Sequence, residues 1–111
     1  MNRATTILVL LLAAALEASG DALMRAGLHR NATGHRALLF ALATLVLFSY
    51  GWTVNAPPWD FGKLIGIYVV FFFLIAQFIS WVFFKQSPSL TMWIGGMLIV
   101  AGGIVIAMAT A

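Results

Sequence analysis

The sequence predicts an all-α integral membrane protein built as a bundle of four transmembrane helices. Of its 111 residues, 63% are hydrophobic and 8% are charged, whereas soluble domains carry about 25% charged residues. The mean hydropathy of +1.05 agrees with this composition. Four apolar runs joined by short polar loops predict one domain over residues 1–111, with spans at about 4–28, 37–54, 61–84 and 90–109.

The first span carries the ionisable residues that lie deepest in the predicted bundle. Glu17, Asp21 and Arg25 follow one another at intervals of four and therefore share one helix face. At the helical rise, Glu17 lies near mid-bilayer, where an intramembrane acid is a candidate functional residue. Asp21 and Arg25 have the spacing of a helix ion pair, so a structural pair and a direct contact with substrate both remain open.

Small residues in the same span predict close packing with a neighbouring helix. Ala13, Gly20 and Gly27 recur at near-helical spacing, and small side chains allow two backbones to approach.

The second span is apolar until it reaches an aromatic end. Tyr50 and Trp52 follow an apolar stretch and predict an aromatic belt at one membrane face. The consecutive prolines Pro57 and Pro58 predict that the helix has ended, since proline cannot continue one.

The third span is the most aromatic. Ile65, Tyr68 and Phe72 lie on one face at helical spacing. Such a face is typical of helix packing, and Tyr68 is also a candidate binding residue. Gln77 and Ser80 are predicted to form hydrogen bonds between helices.

The fourth span contains no charge and two glycine pairs, Gly95-Gly96 and Gly102-Gly103, seven residues apart. Two turns separate the pairs, so equivalent glycines lie on one face. Because apolar helices in lipid associate through close contact, Gly95 and Gly102 are predicted to pack a dimer. Packing within one chain is the alternative.

The distribution of basic residues predicts the orientation only weakly. Short loops make successive helices antiparallel, so the first and third loops share one side. That side is flanked by Arg25, Arg30, Arg36 and Lys85, and the other side by Arg3 and Lys63. This excess favours both termini outside, and its small size is compatible with insertion in both orientations. Four helices are too few to enclose a substrate path, so a dimer is expected. Two oppositely inserted copies reproduce the inverted repeat of larger transporters.

These motifs resemble those of the small multidrug resistance superfamily of membrane transporters. In that family, a first-helix acid is followed by a glycine three residues later and a basic residue eight later. The matching positions are Glu17, Gly20 and Arg25, the third-helix ending over 80–86, and the fourth-helix glycines Gly95 and Gly102.

The resemblance implies a proton and substrate site shared at Glu17 and a dimer packed through the fourth helix. The chain departs from the family in three places. The family's third-helix Tyr and Trp fall on Ile65 and Tyr68, its Gly-x-Gly falls on 70–72 (Val-Phe-Phe), and Asp21 is an additional acid.

The favoured hypothesis is a proton-coupled antiporter that exports small organic cations or amines, as a homodimer in a bacterial inner membrane. Its expected proton and substrate residues are Glu17, Asp21 and Tyr68, with Arg25 as charge partner and Gly20, Gly95 and Gly102 as packing residues. The alternatives are a flippase for a lipid-linked headgroup and a membrane assembly protein that transports nothing. No enzymatic activity, cofactor, metal or nucleic-acid partner is expected.

Overall fold

The computed structural model describes residues 2–29 and 33–109, with the Thr33 side chain excepted. The described chain contains four α-helices: α1 (Arg3–Leu28), α2 (Thr33–Val54), α3 (Phe61–Phe83) and α4 (Leu90–Ala107). All four are long and apolar enough to cross a membrane. The predicted fold class is confirmed at this level, as a multi-pass, all-helical membrane protein.

Polar side chains cap two of the helices where their backbone N–H groups lack helical partners. The Asn2 side chain accepts a hydrogen bond of 2.8 Å from the Thr5 amide at the start of α1. The Ser89 hydroxyl accepts one of 3.2 Å from the Met92 amide at the start of α4. The chain leaves α3 through Lys85, whose positive φ of 55° turns the backbone towards α4.

The start of α2 differs from the sequence prediction. The helix begins at Thr33 rather than at residue 37, because Gly34, His35 and Arg36 form a polar first turn. Arg36 has a structural partner there, since its Nε donates a hydrogen bond of 3.0 Å to the carbonyl oxygen of Gly27. The side chain thus satisfies a backbone acceptor near the end of α1. Arg30, one of the basic residues that favour an outside location of both termini, lies outside the described residues.

The helices pack in the spatial order α2, α1, α3, α4. Helix α1 lies between α2 and α3, and in the part of the chain that the structure describes α4 packs against α3 alone. The buried core sits where the first three helices meet. Its members are Leu10, Ala13, Ala14, Val54, Leu64 and Tyr68.

Glycines set the close approach of the helices, as expected in lipid. A Cβ atom at Gly20 would lie 2.6 Å from Leu47 Cδ2, and one at Gly27 would lie 2.6 Å from Phe40 Cε1, so both glycines accommodate side chains of α2. Gly96 and Gly103 accommodate Phe73 and Val70 of α3 in the same way.

Candidate functional site

The structure brings Glu17 of α1 and Tyr68 of α3 into direct contact. The Tyr68 hydroxyl donates a hydrogen bond of 2.7 Å to Glu17 Oε1 and lies 3.3 Å from the carbonyl oxygen of Ala13. A phenol has a single proton to donate, so the shorter contact to the carboxylate is the principal one. The two sequence-predicted residues therefore form one polar centre within otherwise apolar helices.

Tyr68 is fixed by the packing around it. Only 3% of its surface is exposed, and its ring centroid lies 5.7 Å from that of Tyr50 and 6.2 Å from that of Phe72. Tyr68, the predicted binding residue, thus belongs to the predicted packing face of α3. A rigid ring holds the hydroxyl in place for Glu17.

Tyr50 belongs to this centre and not to the aromatic belt that the sequence suggested. It lies on the face of α2 that packs on α1, together with Ala43, Leu47 and Val54. The spacing of these four residues by four, three and four positions was the available signal. The position of Tyr50 near the end of the span predicts an interfacial residue, and this prediction is wrong because α2 turns Tyr50 towards Tyr68.

Glu17 has no cationic partner among residues 2–29 and 33–109 within 4.0 Å. It is partly buried, and Tyr68 supplies its side-chain hydrogen bond. Asp21, one turn further along α1, is exposed. The centre therefore presents an acid that a proton or a cationic ligand can neutralise.

Asp21 and Arg25 do not form the predicted ion pair in the described structure. The Arg25 guanidinium lies 5.5 Å from the centroid of the Phe84 ring, in a cation–π contact. This stacking draws the guanidinium towards the end of α3 and away from the acid on its own helix. The expectation that Arg25 is the charge partner of Asp21 is wrong for this structure.

Asp21 and Arg25 line a pocket of about 220 Å³ between α1 and α3, here called the charged pocket. Its other polar lining residues are Ser80 and Gln86. The Ser80 hydroxyl donates to Gln86 Oε1 at 3.1 Å, so the prediction that Ser80 bonds between helices is wrong. The polar loop after α3 supplies a nearer acceptor.

Gln77 was predicted to bond between helices as well. In the described chain its side chain forms no hydrogen bond, and it lines an apolar groove between α3 and α4. A bond from Gln77 to another helix is thus absent within the described part of one chain.

The predicted packing glycines take different positions. Gly20 packs within the chain against Leu47, whereas a Cβ atom at Gly95 or Gly102 would have no neighbour within 4 Å among residues 2–29 and 33–109. Their sequence neighbours Gly96 and Gly103 make the contacts with α3. One face of α4 is therefore used inside the chain, and the two glycines on the adjacent face contact none of the described residues.

The segment 70–72 (Val-Phe-Phe) is part of an unbroken helix. Helix α3 runs without interruption from Phe61 to Phe83. The Val70 side chain fills the notch left by Gly103. This contact ties the middle of α3 to α4.

Among the described residues there is no group of three or more His, Asp or Glu side chains able to hold a metal ion. No protein-family model, curated protein or solved structure matches the chain.

Proposed function

We propose that the chain is a proton-coupled membrane transporter that exchanges protons for small organic cations or amines. The observation that carries the proposal is the contact of Glu17 with Tyr68, in which a carboxylate inside a membrane-spanning helix bonds to a phenol and has no basic partner in the described structure. Intramembrane acids are costly to keep, and they commonly mark proton or ion pathways.

The proposed chemistry is competition for one carboxylate. A proton neutralises Glu17 by forming a carboxylic acid, and an organic cation neutralises it by ion pairing. The Tyr50 and Phe72 rings pack against the ring of Tyr68, whose hydroxyl bonds to the acid. Tyr50 and Phe72 are partly exposed, and aromatic rings of this kind attract a cation. Since both ligands need the same group, binding of one releases the other.

Coupled movement also requires two states that bind the ligands differently. A ligand shifts such an equilibrium only by its difference in affinity between the states. The neutral and charged forms of Glu17 supply a difference, because the bond from Tyr68 is stronger when its acceptor is ionised. In this proposal, the strength of the Tyr68–Glu17 contact between α1 and α3 depends on whether Glu17 is protonated.

A homodimer is part of the proposal. The open face of α4 at Gly95 and Gly102 suits a second membrane helix at close range. In an antiparallel pair of oppositely inserted chains, two copies of Glu17 would face a common chamber, as in inverted-repeat transporters. The sequence resemblance to the small multidrug resistance superfamily supports the same arrangement.

The test is proton release from purified protein in liposomes, measured with amines, guanidinium compounds and soluble lipid headgroups. Glu17→Gln keeps shape and hydrogen bonding but removes the titratable group. Proton-coupled exchange is therefore expected to vanish, while folding and association persist. Asp60→Asn, an exposed acid before α3, is the matched control and is expected to transport normally. Exchange at the wild-type rate by Glu17→Gln would overturn the proposal.

A further inference from the structure

A polar pocket and an apolar groove lie at the end of the bundle where α1 and α3 end and α4 begins. Beside the charged pocket, an apolar groove of about 730 Å³ runs between α3 and α4. It is lined at this end by Trp81 and Trp93 and extends along α4 to Val100 and Ile104. Neither feature includes Glu17 or Tyr68.

The charged pocket and the apolar groove are neighbours along the chain at two points. Ser80 lines the charged pocket and Trp81 lines the groove. Gln86 lines the charged pocket and Ser87 lines the groove. The end of α3 and the loop after it thus lie between the charged pocket and the apolar groove.

The charged pocket contains one acidic and one basic side chain that do not pair with each other. In the stretch from 2 to 29 and from 33 to 109, neither Asp21 nor Arg25 has an oppositely charged side chain within 4.0 Å. Arg25 can donate to a phosphate, and Asp21 can accept from an ammonium. The Gln86 carboxamide oxygen is occupied by Ser80, which leaves its NH₂ group to donate to an anion.

We propose that the charged pocket and the apolar groove together bind an amphiphile whose headgroup carries both an ammonium and a phosphate. The phosphate lies at Arg25 and Gln86, the ammonium lies at Asp21, and one hydrocarbon chain lies in the groove past Trp81. An aminophospholipid has this chemistry. The groove fits a chain because its lining is apolar and it adjoins the headgroup charges. The site does not depend on coupling at Glu17.

The experiment is lipid titration of the purified full-length protein in detergent, with bound lipid counted by native mass spectrometry. Phosphatidylethanolamine is compared with phosphatidylglycerol of the same acyl chains, which has the phosphate but no ammonium. The wild-type protein is expected to bind phosphatidylethanolamine roughly tenfold more tightly, since one charge-assisted hydrogen bond is at stake. This arm needs no variant. Equal affinity for the two lipids would overturn the headgroup assignment.

Three variants locate the site. Arg25→Gln is expected to weaken binding of both lipids by roughly tenfold, and Asp21→Asn to remove the preference for phosphatidylethanolamine. Ala101→Phe, at an exposed position in the groove lining, is expected to weaken both lipids by filling the space for the chain. The matched controls are Arg3→Gln, at the other end of α1, and Ala107→Phe, outside the groove lining.

Each of these results has an outcome that overturns the proposal. Binding unchanged in all three variants would place the lipid elsewhere on the bundle. Free phosphoethanolamine that displaces the lipid as effectively as the lipid displaces itself would show a site for a soluble zwitterion, with no part for the groove. Loss of binding equally in Arg3→Gln would show attraction by net charge alone.

Discussion

The hydroxyl of Tyr68 donates a hydrogen bond of 2.7 Å to Oε1 of Glu17, and these residues are 51 positions apart in the chain. The contact joins α1 to α3 at the only place in the described bundle where a carboxylate accepts a hydrogen bond from another side chain. This bond is stronger when Glu17 is charged than when it is protonated, and the proposed transport function relies on that difference.

Tyr68→Phe tests the bond directly. The variant keeps the packed ring and removes the donor, so the ionised form of Glu17 loses a charge-assisted bond. The pH profile of proton-coupled exchange is expected to move to higher pH by about one unit, which corresponds to roughly 1.4 kcal/mol. Transport measured across a pH series in liposomes checks this shift.

Tyr50→Phe is the control for Tyr68→Phe. Tyr50 packs against Tyr68, but in the described part of the chain its hydroxyl makes no hydrogen bond. Its removal is expected to leave the pH profile in place. A profile unchanged in Tyr68→Phe, or shifted equally in both variants, would contradict the role of the bond.

The two glycine faces of α4 give a second prediction. Gly103→Val places a branched side chain against Val70 of α3. Because such overpacking costs about 1–3 kcal/mol, the variant is expected to melt at a lower temperature in detergent. Thermal unfolding of the purified protein measures this loss.

Gly102→Val is the matched change on the adjacent face, where an added Cβ atom has no described atom of the chain within 4 Å. Its melting temperature is expected to stay near wild type, while its association in detergent weakens, as followed by analytical ultracentrifugation. A dimer as stable as that of the wild type would show that this face is not the interface.

The elements of the fold were predictable from the sequence because each span is a long apolar run bounded by polar residues. The contacts between spans were not. The glycine pairs were visible, but which member of each pair faces α3 depends on the rotation of α4. The same limit applies to Tyr50, whose place beside Tyr68 depends on how α2 is turned against α1. Arg25 contacts the ring of Phe84, which lies 59 positions away in the chain, and does not pair with Asp21. The spacing of residues within α1 carries no information about such a distant contact.

Arg36 gives a third prediction, about stability alone. Its Nε bonds to the Gly27 carbonyl and ties the start of α2 to the end of α1. Arg36→Gln is expected to lower the free energy of unfolding by roughly 1 kcal/mol, measured by thermal or denaturant unfolding in detergent. Arg3→Gln is the control at the opposite end of α1. An unfolding free energy equal to that of the wild type would show that the bond contributes nothing to stability.

Substitution of Asp21 distinguishes proton-coupled cation transport from lipid flipping and from a purely structural role in membrane assembly. Asp21 lies one turn from Glu17 and has no cationic partner in the described structure. If Glu17 couples protons to cation transport, Asp21→Asn removes a nearby negative charge and makes the ionised form of Glu17 easier to reach. The pH profile of exchange is then expected to move to lower pH, opposite to the shift in Tyr68→Phe.

In a lipid flippase, the change alters which lipid is moved and leaves the profile in place. In an assembly protein that relies on an Asp21–Arg25 pair, the main loss is in melting temperature. Since the structure forms no such pair, we expect a stable protein with a shifted profile. Exchange measured against pH, together with one melting curve, decides among the three, and a stable variant with an unshifted profile would contradict proton coupling at Glu17.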